Sequence, residues 1–179
     1  EIWFAQQIDP KNDLLDLRGH LHLQGEIDTD ALRSALDASV AEFDTLRLRI
    51  IDTPEGPRQF FTEDQGSRLD ILDCTDMTEA EADMRKRCRH VFDLATEPPY
   101  TFVLYRLETD GVVLFQRYHH AIMDGFSASL MNNRLAAHYA RLSGRAEIVT
   151  DLPDSVLTIL SEDESYHASD RHARDPQAW

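Results

Sequence analysis

The sequence predicts an α/β domain, a mixed β-sheet flanked by helices. Three observations predict it. Segments that alternate apolar and polar residues, such as LDLRGHLHLQG at 15–25, are interleaved with segments of helical period, such as DTDALRSALDASVAEF at 28–43. Two apolar stretches, YTFVLYRL and GVVLFQRY, flank the turn-forming ETDG at 108–111 and read as a hairpin with a largely buried central strand. The 179 residues suit one domain and suffice to bury a core.

The elements follow in order. EIWFAQQ reads as a helical piece stopped at Asp9-Pro10, because a residue before proline is pushed out of the helical region. Leu15, Leu17, Leu21 and Leu23 then share one side of a half-buried strand. Leu32, Leu36, Val40 and Phe43 recur at helical spacing, with Asp28 or Thr29 as the cap. LRLRII and RQFF, joined by DTPEG, form a second hairpin, and LDILD at 69–73 a short strand. Thr78 and Glu81 have capping-box spacing ahead of a helix whose buried side is Ala80, Met84, Cys88 and Val91. EPP at 97–99 breaks the chain. From Phe126 to about Leu142 the period is helical again, with Ala128, Met131, Leu135 and Leu142 on one face and Gly144 as a stop. The periodic elements thus occupy residues 1–150. The polar, acidic stretch 151–179 reads as a connector, or as a helix that packs on something outside it.

Composition narrows the function. A formal net charge of −15 speaks against a nucleic-acid partner, since a phosphate backbone wants a cationic stripe. RKRCRH at 85–90 is the one dense basic run and reads as a solvated helix face. No apolar run has the roughly 20 residues a membrane span needs, and no signal peptide opens the chain. Cys74 and Cys88 are too few for a disulfide scaffold and form no CxxC pair, which fits a reducing cytosol. The opening, without an initiator methionine, reads as cut from something longer.

The chemistry-bearing stretch is RYHHAIMDGFS at 117–127. Strand alternation puts His119 and His120 on opposite faces, so they do not grip one ion together, and only Asp124 lies nearby; a zinc site wants three or four convergent ligands. A neutral histidine can take a proton from an attacking amine or hydroxyl. Asp124 can orient a neighbour, and Gly125 admits a tight entry into the next helix, whose first N–H groups face developing negative charge. Against this stands the plain reading of two packed or solvent-facing histidines. No G-x-S-x-G elbow and no glycine-rich phosphate loop occurs.

HHAIMDG at 119–125 resembles the HHxxxDG signature of nonribosomal peptide synthetase condensation domains, relatives of chloramphenicol acetyltransferase. Phe126-Ser127, the opening EIWFAQQ, EFDTLRLRI at 42–50 and VFDL at 91–94 extend the resemblance over almost the whole chain. It implies an acetyltransferase-like lobe, the first of two, with the active site between them and the C-terminal lobe absent, so that this lobe alone is inactive. It implies amide-bond formation: the amine of a carrier-bound aminoacyl thioester attacks a carrier-bound donor acyl thioester. His120 would stand at the chemistry, positioning or deprotonating the amine, and His119 would be structural. Asp124 would pair with an arginine of the second motif, Arg47, with Arg49 as competitor on the same strand face. Gly125 would let substrate approach the backbone. The second motif reads AEFDTLRLR, without the usual Arg-His-Glu opening. The implied partners are upstream donor and downstream acceptor carrier proteins and an adjacent adenylation domain. No cofactor is bound tightly, the phosphopantetheine arms belonging to the carriers. Rival readings are an epimerization domain, which usually has a tryptophan where this chain has GFSASLMNN, a non-catalytic recruitment module, and a free-standing acyltransferase using His120 to Gly125 as HxxxDG. Cyclization domains replace the histidines with aspartates and do not fit.

Overall fold

The computed structural model describes residues 2–9, 15–63, 66–108, 111–145 and 150–174. Helix α1 (Ile2–Ile8) leads to strand β1 (Asp16–Leu23). The proline expected to stop α1, Pro10, lies outside the described residues. Helix α2 (Thr29–Glu42) follows, capped by Asp28, whose carboxylate accepts from the N–H groups of Asp30 and Ala31. A 3-10 turn (Asp44–Arg47) leads into β2 (Leu48–Ile51), which pairs antiparallel with β3 (Arg58–Phe61) as the expected hairpin.

Strand β4 (Asp70–Cys74) precedes helix α3 (Met77–Arg87). The capping box falls two residues earlier than the sequence suggests. Asp76 accepts from Glu79 N–H, while Glu79 reaches back to the N–H and hydroxyl of Thr75. The helix also ends sooner, at Arg87, so Val91 is exposed and only Ala80 and Met84 are fully buried on its apolar side. Strands β5 (Tyr100–Leu107) and β6 (Gly111–His119) form the central hairpin; Thr109 and Asp110 of its turn lie outside the described residues. Helix α4 (Gly125–Leu142) ends before Gly144, which takes a left-handed φ of 68° suited to glycine. Leu142, expected on the buried face, is exposed. Helices α5 (Val156–His167) and α6 (Asp170–Arg174) close the described chain, and α5 buries none of its residues.

The main sheet has the order β1-β6-β5-β4, with β4 parallel to β5 and the other pairs antiparallel. Alternation sends Leu104, Leu114 and Tyr118 to one face, where they pack with Leu32, Leu36 and Val40 of α2 and Met131 and Leu135 of α4. The opposite face meets α3 through Val103, Tyr105, Val113 and Phe115. Both faces of the central strands are covered, which is why β5 and β6 read as nearly continuous apolar runs.

Helices α2 and α4 are also tied by charge. Glu42 receives two 2.6 Å hydrogen bonds from the Arg134 guanidinium and lies 2.9 Å from His138 Nε2. Burial pushes the Glu42 carboxyl up, but the bonds from Arg134 and His138 outweigh it and hold it below its ordinary value. A depressed carboxyl contributes stability above its unfolded pKa and loses it as pH falls through the folded one. Glu42→Gln therefore flattens the acid limb of a stability-versus-pH curve below about pH 4.3, the unfolded glutamate value, as denaturant titrations at successive pH values will show.

Candidate functional site

The site grows from the end of β6. Phe115, Arg117 and His119 project toward the α3 side of the sheet, and Gln116 and Tyr118 toward α2 and α4. His120 follows directly, one residue past the end of the strand, where the chain turns.

His119 is buried, with 2% of its surface exposed. Its backbone N–H donates to Pro99 O at 2.8 Å, and its Nδ1 accepts from Ala121 N–H at 3.1 Å. The neutral ring therefore carries its proton on Nε2, which is buried with no partner. Burial, foremost, pushes its pKa below the usual histidine value. It is a packed, neutral ring beside Phe92, with centroids 6.3 Å apart.

His120 differs. Its backbone N–H donates to Leu15 O at 2.7 Å, fixing the strand end to the start of β1. The residue is half-buried, and its imidazole makes no hydrogen bond to the described residues. Of the two rings, this is the more exposed.

Asp124 is the N-cap of α4. It is exposed and accepts from Ser127 N–H at 2.8 Å, a bond that holds its carboxyl below the ordinary aspartate value. The expected pairing with Arg47 is not formed, nor one with Arg49: among the described residues no ion pair joins Asp124 to either. The carboxylate is spent on a helix N–H. The Arg47 carbonyl accepts from the N–H and hydroxyl of Thr62, while its Nε is buried without a partner. Arg49 faces inward along β2 and donates to Leu48 O at 2.8 Å. The same cap removes Ser127 N–H from the set of amides the sequence offered to developing negative charge. Gly125 has no positive φ, and a Cβ built on it meets open space, so local folding does not demand glycine there. Asp124→Ala should cost about 0.5–2 kcal/mol of stability and Asp124→Asn much less, because asparagine also caps. Chemical denaturation of the two variants checks this; an equal, large loss in both would indicate an ion pair instead.

The sequence reading missed the buried charge pair at the site. Arg117 donates through Nε to Asp16 at 2.8 Å and through Nη2 to the same carboxylate, and it also donates to the carbonyls of Arg87 and His90. Its guanidinium lies 4.2 Å above the Phe92 ring. Gln6 of α1 donates to Phe92 O at 2.9 Å, so the VFDL segment is held from both sides. An arginine inside the apolar run VVLFQRY was the available signal, since a charge in a buried strand needs a partner.

The basic run 85–90 is partly neutralised: Arg85 pairs with Glu81, and Arg87 with Asp83 and Asp70. It borders a cavity of about 860 Å³ on the α3 side, which Arg117 and His119 also line. Among the described residues no three His, Cys, Asp or Glu side chains converge as a metal-ligand group, and no helix is long and apolar enough to cross a membrane.

Comparison with known proteins places this geometry. The Condensation domain family matches residues 1–179. The dimodular nonribosomal peptide synthase of Bacillus subtilis (strain 168) is 28% identical over 182 residues, covering 99% of this chain and 8% of its own length. The isonitrile lipopeptide synthase of Mycobacterium tuberculosis is 35% identical over 159 residues, 85% of this chain and 6% of its own. Among solved structures, the starter condensation domain of rhizomide synthetase RzmA superposes with a TM-score of 0.88 at 30% identity, over 99% of this chain and 44% of that one. The chain thus spans less than a tenth of these two synthetases and under half of the solved domain.

Proposed function

We propose, from the premise that this chain belongs to the Condensation domain family, that it forms peptide bonds in nonribosomal peptide synthesis. The observation that carries the reading is the contrast between the two rings: His119 is 2% exposed and neutral, while the His120 imidazole is half-buried and makes no hydrogen bond to the described residues. In this reading the amine nitrogen of an acceptor aminoacyl thioester attacks the donor carbonyl. A C–N bond forms, the C–S bond breaks, and the sulfur leaves on the donor carrier as a thiolate that takes up the proton lost by the amine nitrogen, with His120 at that nitrogen. His120 holds the amine or accepts its proton. His119 keeps the strand end in place, Asp124 starts α4, and Gly125 leaves open space beside the motif.

The donor and acceptor arrive on carrier proteins through phosphopantetheine arms, with an adenylation domain adjacent and the remainder of the condensation domain supplying the second wall of the site. The intact double histidine and the starter-domain likeness favour condensation over a recruitment module; the absence of tryptophan from GFSASLMNN disfavours epimerization. Full-length protein supplied with loaded donor and acceptor carriers should yield an amide product on the acceptor carrier. Inversion of a carrier-bound stereocentre without amide formation, or docking without turnover, would overturn the proposal.

A further inference from the structure

The two faces of the main sheet are covered unequally. Among the described residues, helices α2 and α4 both pack on one face, but α3 alone closes the core on the other. Four strands about 4.8 Å apart span roughly 14 Å, and a helix with its side chains is about 10 Å wide. One helix therefore leaves part of that face open, and the open part is β1. His20 and His22 stand opposite Phe115 and Val113 of the α3 core, so they and Arg18 lie on this face, and all three are exposed. Between β1 and α3 runs the groove of about 860 Å³.

Its lining combines apolar side chains with a cationic rim. Met84, Phe92 and Phe115 are buried, while Val91, left outside α3 when the helix stops at Arg87, is 42% exposed. Arg18 comes from β1, Arg85 from α3 and Arg89 from just beyond it, and all three are exposed. The two carboxylates in the described lining are already engaged, Asp16 by Arg117 and Glu81 by Arg85. Four arginines thus face two acids here, in a chain whose formal net charge is −15. A cationic groove on an otherwise acidic molecule selects a partner that is acidic where it enters.

From these observations we infer that the groove between β1 and α3 is a docking surface for an acidic amphipathic α-helix of a partner polypeptide. The open strip is about one helix wide, so the incoming helix lies beside α3 on this face as α2 lies beside α4 on the other. Its apolar side covers Val91 and the aliphatic stems of Arg85 and Arg89, and its carboxylates meet the guanidinium groups. A nucleic acid or an anionic lipid surface offers phosphates without an apolar stripe, and the net charge of −15 opposes both at longer range. The inference is independent of the chemistry proposed for His120, which is not among the groove residues.

The test uses full-length protein and fluorescein-labelled peptides of about 18 residues, five helical turns. The probe carries leucine at helical spacing on one side and glutamate on the other. One counterpart replaces the glutamates with lysine, and a second keeps the charge but places two prolines in mid-helix. Fluorescence anisotropy should show the acidic helix bound at least about tenfold more tightly than either counterpart. Binding should weaken between about 0.1 M and about 1 M salt, as the Debye length falls from ~10 to ~3 Å. It should also weaken at least about tenfold in Arg85→Glu/Arg89→Glu and stay unchanged in Arg141→Glu, a charge reversal at an exposed position of α4. Should the double reversal unfold, Val91→Asp, which alters one exposed side chain, must show the same loss with the melting temperature unchanged. Equal binding of either counterpart, an equal loss in Arg141→Glu, no loss in the groove variants, or tighter binding of duplex DNA or anionic vesicles than of the acidic helix overturns the inference.

Discussion

Arg117→Ala in the full-length protein should lower the stability of this domain by about 3–5 kcal/mol, the usual cost of breaking a buried ion pair from one side. Arg117 and Asp16 expose 2% and 7% of their side chains. Removing the guanidinium strands a carboxylate inside the protein, leaves the carbonyls of Arg87 and His90 without this donor, and removes the cation from the Phe92 face. The double variant Asp16→Leu/Arg117→Met should recover most of the loss, because an apolar pair of similar size carries no desolvation penalty. Denaturant midpoints for the two variants check both halves. A loss under about 1 kcal/mol for Arg117→Ala would show that the pair contributes little. Activity should follow stability, since Asp16 adjoins Leu15, whose carbonyl holds His120 N–H.

That pair marks where sequence reasoning stops. Alternation in LDLRGHLHLQG and the helical period of 28–43 are local signals, and β1 and α2 lie where they indicate. The double histidine, too, is legible as a motif, because its residues are contiguous. Ion pairs are different: Asp16 and Arg117 are 101 positions apart, and only the β1–β6 register brings them together. The pairing expected of Asp124 went wrong for a local reason. The start of α4 had an orphan N–H at Ser127, and a carboxylate three residues earlier met that need. Val91 is a similar case: its spacing continues the apolar face of α3, but the helix stops at Arg87 before reaching it.

The largest effect on activity belongs to His120. Its replacement by alanine should leave the fold intact, because the imidazole makes no hydrogen bond to the described residues and its backbone bond to Leu15 O does not depend on the side chain. His119→Ala contrasts with it, removing a buried ring and the acceptor for Ala121 N–H. A positioned acid–base group contributes roughly 10²–10⁴ to rate, and that is the loss expected of His120→Ala. The most direct measurement is the single-turnover rate of amide formation by full-length wild type and His120→Ala, with both carriers preloaded and saturating. A fall of at least about a hundredfold, with the melting temperature and carrier affinities unchanged, is the predicted result; a variant rate within twofold of wild type would contradict the role given to this ring.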